Sequence, residues 1–223
     1  MSTTQNIDTL IHARWIAPVI PKNRLFEHCS LAINNGKIIA LLPRAQAEKQ
    51  YSATDTVVLN EHLLIPGLIN SHNHAAMTLL RGYADDQPLK TWLEEHIWPA
   101  EKQWVAEEFV KDGTELAIAE MIKSGTTCFS DMYFFPEQAA SVAQSAGIRA
   151  QITFPILDFP TNWAVDADDY INKGLALHDQ FRASDTIRIG FGPHAPYTVS
   201  DEPLKRIATL ANELGAPIQI HLH

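Results

Sequence analysis

Cysteine is scarce in this chain: Cys29 and Cys128 are the only two in 223 residues, far apart and each in an apolar context. That scarcity argues against a structural disulfide and fits a reducing compartment. Basic charge is also short, with 17 Lys and Arg against 26 Asp and Glu and a formal net charge of −9. Such a balance argues against a surface for nucleic acid or for an anionic membrane. No run of like charges reads as an interaction tail, and no low-complexity segment or short internal repeat is present. No apolar stretch is long enough to span a bilayer. The opening Met1-Ser2-Thr3-Thr4-Gln5-Asn6 has neither the basic start nor the apolar core of a signal peptide, so a cytoplasmic location is expected. What is present, at 46% hydrophobic residues, can bury a core in one large domain or two small ones.

Residues 1–62 read as a β domain. Ile7 to Trp15 and Leu25 to Ile33 are rich in strand formers, and Asn34-Asn35-Gly36-Lys37 is a hairpin turn, because Asn-Gly tolerates positive φ. Lys37 to Leu42 returns as a strand, Pro43 to Gln50 forms a short helix, and Thr56 to Leu59 is another strand. Such short strands leave edges that need covering, which is compatible with a homo-oligomer.

Residues 63–223 alternate strand and helix. Strands are expected at Leu63 to Asn70, Thr126 to Tyr133, Arg149 to Leu157, Ile187 to Gly192 and Pro217 to Leu222. Helices are expected at Trp104 to Lys123, Pro136 to Ala146, Asp166 to Phe181 and Ser200 to Leu214. Repeated β/α units imply an α/β fold with a parallel sheet, doubly wound or closed into a barrel. A (β/α)8 barrel takes about 250 residues and eight strands. Five strands are counted here, and the last stops at His223 with no helix to cover it. The chain is therefore expected to be the N-terminal portion of a longer protein.

Histidine marks the ends of three of these strands. In Pro66-Gly67-Leu68-Ile69-Asn70-Ser71-His72-Asn73-His74, side chains two residues apart share a strand face, so His72 and His74 can reach one metal ion while Asn73 points away. His194 follows another strand, and His221 with His223 ends the fifth. In a parallel α/β fold the C-terminal ends of strands form the active-site rim. One such histidine would be as well explained by a polar core or surface role. Convergence of three strands on one rim favours a metal site.

Four segments carry a family resemblance: Pro66 to Gly82, Asp131-Met132-Tyr133-Phe134, Gly192-Pro193-His194-Ala195-Pro196-Tyr197 and Ile220-His221-Leu222-His223. From about Ile33 to its end the chain resembles the amidohydrolase superfamily, and within it the 5-methylthioadenosine/S-adenosylhomocysteine deaminases. The resemblance implies a metal-dependent (β/α)8 TIM barrel, of which 63–223 would be the first five units. It also implies a small β-sandwich made from both chain termini, with 1–62 as its N-terminal part. His72, His74 and His221 match metal ligands, while Glu101 and His194 match substrate-binding residues, Glu101 at the ribose hydroxyls. His223 shares the face of His221 by parity but has no counterpart in the family's His-x-x-Glu pattern. The glutamate that moves protons and the last metal ligand are expected after His223, so no catalytic acid or base is assigned within the chain, and residues 1–223 are expected to be inactive alone.

Binuclear relatives bridge their metals with a carboxylated lysine on the fourth strand, and Ile187 to Gly192 has none. One divalent metal is therefore expected, zinc on the strength of imidazole ligands, with iron allowed by the same donors. The implied reaction is hydrolytic deamination of an adenine nucleoside, 5′-methylthioadenosine or S-adenosylhomocysteine. Phe154 stands where some members carry a carboxylate-binding arginine. With Pro155, Phe159 and Trp163 it would form an apolar wall suited to the methylthio group. Guanine-type deaminases and triazine hydrolases share the His-x-His strand and stay as alternatives, as does a non-catalytic barrel. Asp131 is open between supporting the site and capping a strand end. Trp92, Trp98 and Trp104 read as core or pocket wall, and His12, His28, His62, His96 and His178 as ordinary polar histidines.

Overall fold

The structure is a computed structural model that describes residues 4–222. It divides into two compact units, Met1–Pro66 and Gly67–His223. His223 lies outside the described residues.

The first unit is one mixed sheet in the order β3-β2-β1-β4, formed by β1 (Gln5–Ile16), β2 (Phe26–Asn34), β3 (Lys37–Pro43) and β4 (Tyr51–Leu64). The β2–β3 hairpin turns at Asn35 and Gly36, whose φ angles of 51° and 69° are those an Asn-Gly turn supplies. The short helix α1 (Arg44–Gln50) drops Ala47 into a cluster with Ile7, Leu10 and Ala32. Residues 4–66 supply a single sheet of the expected sandwich. β4 is much longer than the expected Thr56 to Leu59, since it runs parallel to β1 from Gln5↔Tyr51 to Ile16↔Leu64. Pairing with Thr9 holds Asp55 in a strand that its polarity does not announce. Pairing on both sides, at Leu59 and Leu63, carries the strand past Glu61 and His62 through an irregularity in register.

That pairing also moves the division between the units. Leu63 and Leu64 partner Trp15 and Ile16, so the apolar run expected as one strand splits at Ile65-Pro66-Gly67. The second unit starts with β5 (Leu68–Asn73) and continues with β6 (Thr126–Met132), β7 (Arg149–Ile156) and β8 (Ile187–Pro193), all parallel and in sequence order. Helices α4 (Glu107–Lys123), α5 (Pro136–Ala146), α6 (Ala167–Phe181) and α7 (Asp201–Leu214) follow or link these strands. In α6, Tyr170, Ile171, Gly174, Leu177 and Phe181 form the buried stripe, at the spacing of one helical face. The Asp166 side chain caps its first turn by accepting from Asp169 N–H at 2.9 Å.

Between β5 and α4 the chain is irregular. A 3-10 segment (Ala75–Leu80) is followed by α2 (Leu89–Thr91), a π-helical segment (Trp92–Ile97) and α3 (Trp98–Trp104). The helix expected from Trp104 starts only at Glu107, because extended Val105 inserts between the two helices and is buried with Val110 and Tyr133.

The fifth expected strand is only partly formed. Phe191 N–H donates to Pro217 O at 2.9 Å and Gln219 N–H to Phe191 O at 3.0 Å, leaving one bridge, Phe191↔Ile218. The next donor on β8 would be Pro193, which has no N–H, and the ladder stops there. His221 N–H bonds instead to His194 O at 3.0 Å. The segment is extended beside β8 without being a regular strand.

Candidate active site

The C-terminal ends of the second unit's strands carry a cluster of imidazoles. His72 and His74 leave β5 on one face with ring centroids 4.9 Å apart. His221 lies 4.9 Å from His72 and 5.2 Å from His74. One ligand nitrogen from each of the three can be chosen so that all lie within 4.8 Å of one another. The Nε2 atoms of His72 and His221 are 3.3 Å apart.

Hydrogen bonds at the other ring nitrogens decide what the cluster can hold. His74 Nδ1 is 2.6 Å from Met132 O, and His221 Nδ1 is 2.9 Å from His194 O. A carbonyl only accepts, so both Nδ1 atoms carry the proton and both Nε2 atoms keep a lone pair. Burial holds His74 down at about 4, and it lowers His221 as well. Neutral imidazoles that keep lone pairs this close together are suited to a divalent-metal site. Such a set fits zinc or another borderline metal.

His194 is 5.1 Å from His221 by ring centroid. Its Nδ1 lies 2.9 Å from Thr198 Oγ1, and that hydroxyl donates to Ala195 O at 3.1 Å. Thr198 therefore accepts from Nδ1–H, and His194 keeps an unprotonated Nε2. Burial and the neighbouring His221 and His74 push His194 down to about 4.

Asp131, near the end of β6, is fully buried and accepts from Ala75 N–H through Oδ1 at 2.6 Å. Of the two roles left open for it, the geometry shows a clamp on the backbone just after His74. Burial raises its carboxyl to about 7. Glu101, on α3, accepts from the Tyr133 hydroxyl through Oε1 at 2.8 Å. Burial pushes Glu101 up to about 7 and the Tyr133 hydrogen bond opposes it. Asn162 holds the end of α3 by donating to the carbonyls of Lys102 and Val105 at 3.1 and 2.8 Å.

All five histidine and glutamate candidates, His72, His74, Glu101, His194 and His221, border one cavity of about 580 Å³. Much of its remaining wall is apolar, from Met77, Trp92, Leu93, Trp98, Leu157 and Phe159. Lys102 is its one non-imidazole cation among the described residues.

Two expectations about the wall are corrected. Phe154 does not face the cavity: it is buried against Phe191, and its ring abuts Gly174 of α6. Strand alternation gives the cavity Pro155 and Leu157 instead. Trp163 also turns away, donating Nε1–H to Glu137 at 3.3 Å. Trp92 and Trp98 do line the cavity, whereas Trp104 is 60% exposed. Tyr133, Asn162 and Gln219 were given no role from the sequence. Gln219 was within reach of the parity rule, since it stands two residues before His221.

A parallel β/α sheet with imidazoles at its C-terminal edge is the architecture of the metal-dependent (β/α)8 barrels. The sequence profile of the Amidohydrolase family matches residues 63–223, and the chain belongs to that family. Over its full 223 residues it is 61% identical to a 5-methylthioadenosine/S-adenosylhomocysteine deaminase of Saccharophagus degradans, covering 50% of that protein. It is 38% identical over 96% of its length to a 5′-deoxyadenosine deaminase of Methanosarcina barkeri, covering 49% of it. Among solved structures, an adenosine deaminase from Xanthomonas campestris with bound zinc superposes with a TM-score of 0.96. Their identity is 44%, over 98% of this chain and 50% of that one. The chain spans about half the length of the curated relatives it matches.

Proposed function

We propose that this protein works in the metal-dependent hydrolytic deamination of adenine nucleosides, replacing the 6-amino group of the base by oxygen and releasing ammonia. The observation that carries this is the convergence of His72, His74 and His221 on the cavity that Glu101 and His194 also border. The three imidazoles would hold one divalent metal, zinc by preference and iron by the same donors. Bound there, the metal would act as a Lewis acid and bring the pKa of a coordinated water toward about 7.

The chain's own residues would bind and orient the nucleoside. Glu101 Oε1 is engaged by Tyr133, so Oε2 is the oxygen available to the ribose hydroxyls. His194 offers an acceptor at Nε2 beside the histidine cluster. The apolar wall of Met77, Trp92, Leu93 and Phe159 suits a small thioether at the 5′ position. An amino-acid tail would need a partner for its carboxylate, and among the described residues Lys102 is the cavity's one cation besides the imidazoles. These features favour 5′-methylthioadenosine over S-adenosylhomocysteine, and a small-molecule nucleoside substrate accords with the cytoplasmic location expected from the sequence. Among the described residues no helix is long and apolar enough to cross a membrane.

The test is kcat/KM of the full-length natural protein, zinc-loaded, for both nucleosides and for free guanine and a chlorotriazine. Higher kcat/KM for methylthioadenosine than for the homocysteine adduct is expected. The reverse order would overturn the substrate choice. Turnover of the free base or the triazine, with none of either nucleoside, would overturn the nucleoside reading. Glu101→Ala should raise KM for nucleosides while leaving metal content unchanged.

A further inference from the structure

His72 differs from the other two members of the cluster. Its Nδ1 meets a side chain, the Gln219 carboxamide, whose Nε2 lies 2.6 Å away. The opposite end of that amide, Oε1, is 2.6 Å from Ser130 Oγ, and Ser130 Oγ is 3.2 Å from Gln151 Nε2. The row Gln151–Ser130–Gln219–His72 thus runs from β7 through β6 and the extended segment 217–222 to β5. Ser130 is 8% exposed, and the row leads to the histidine cluster.

The two ends of a carboxamide are isosteric but opposite in hydrogen bonding. With Nε2 toward His72, the amide donates and Nδ1 must be the acceptor. The imidazole proton then sits on Nε2, where it can donate across 3.3 Å to the lone pair of His221 Nε2. In that state His72 presents a proton to the cluster while His74 and His221 present lone pairs. A half-turn of the amide exchanges Oε1 and Nε2 and reverses this with no other heavy atom displaced. Oε1 then accepts from His72 Nδ1–H, the amide N–H donates to Ser130 Oγ, and His72 Nε2 joins the other two as a lone pair.

We propose that Gln219 is the positioning residue of His72, and that its amide orientation selects the His72 nitrogen that carries the proton. The cluster takes a divalent cation only with Gln219 Oε1 toward His72. This inference rests on the assignment of His72, His74 and His221 as the metal site. A ligand's outer hydrogen-bond partner is typically worth about 10–100-fold in metal affinity.

The experiment is zinc affinity of the full-length natural protein, by competition with a chromogenic chelator, for wild type, Gln219→Leu and Gln219→Glu. Gln219→Leu should bind zinc about tenfold or more weakly. Gln219→Glu, whose carboxylate accepts at both oxygens, should bind at least as tightly as wild type. A residue that only filled space would not be rescued by a charge. Gln219→Leu binding like wild type, or Gln219→Glu binding as weakly as Gln219→Leu, overturns the proposal. A second measurement needs no variant: nitrogen-15 shifts of the His72 ring should report Nε2–H in metal-free protein and Nδ1–H with zinc. The same tautomer in both states overturns it too. If wild type holds no stoichiometric zinc, or His72→Ala leaves zinc binding intact, the metal assignment fails, which is a separate result from failure of the Gln219 role.

Discussion

The Tyr133 hydroxyl donates to Glu101 Oε1 at 2.8 Å, and both side chains are largely withdrawn from solvent. The residue before Tyr133 contributes Met132 O, which holds His74 Nδ1 at 2.6 Å. Two consecutive residues at the end of β6 therefore fix an imidazole of the cluster and a carboxylate that borders the same cavity. Tyr133→Phe keeps the ring packing and removes only the donor. A hydrogen bond to a carboxylate is worth about 1.5–3 kcal/mol, although part of the loss is recovered by water. The expected outcome is a KM for ribonucleosides raised roughly three- to tenfold, with kcat and zinc content nearly unchanged. A 2′,3′-dideoxynucleoside should show no such change. An equal rise for both compounds would assign Tyr133 to packing alone.

Glu101 also sets a pH dependence. Its carboxyl is raised from 4.5 to about 7, chiefly by burial, so the folded protein holds a proton that the unfolded chain releases earlier. The contribution is fully present below pH 4.5 and is lost as pH rises through about 7. The lost stabilisation is on the order of 3 kcal/mol. Glu101→Gln removes the titration and leaves other groups in place. In urea titrations of metal-free protein, wild type should lose stability relative to Glu101→Gln between pH 4.5 and 7, and parallel curves would refute it.

The parts that were legible in the sequence are those a period-two or period-3.6 pattern encodes. Parity alone put His72 and His74 on one face, and apolar runs located β6, β7 and β8. Legibility failed where long-range pairing overrides local preference. β4 keeps Asp55 in a strand because Thr9 of β1 pairs with it, and β1 pairs with the strand on both sides of Glu61. It failed again from Ala75 to Trp104, where 3-10 and π-helical turns have no apolar period to announce them. The error at Phe154 was one of phase. A shift of one residue along β7 exchanges cavity for core, and Pro155 faces the site instead. Gln219 and Tyr133 act through hydrogen bonds to other elements, and a single sequence does not encode those partners.

Metal should stabilise the second unit's rim. A ligand that binds only the folded state adds about 2.7 kcal/mol at a free concentration 100-fold above its Kd. Zinc should therefore raise the melting temperature of the metal-free full-length protein, and chelator should return it. His74→Ala removes one ligand together with the bond to Met132 O, so its melting temperature should be lower and insensitive to zinc. A zinc-dependent rise in His74→Ala as large as in wild type would place the metal elsewhere.

Gly174 sits in the buried face of α6 where the Phe154 ring presses on the helix backbone, and a methyl group there would overlap that ring. In an exposed helix, glycine to alanine would stabilise by roughly 0.5–1 kcal/mol. Here overpacking reverses the sign. Phe154 is fully buried against Phe191, with ring centroids 4.8 Å apart, so it has nowhere to move. Gly174→Ala should destabilise by about 1–3 kcal/mol. The double variant Gly174→Ala/Phe154→Leu should recover part of that loss, because the smaller side chain makes room for the methyl. Equilibrium urea denaturation of the single and double variants measures the coupling. Strict additivity, or a stabilising Gly174→Ala, would show that α6 and β7 do not meet as closely as this packing requires.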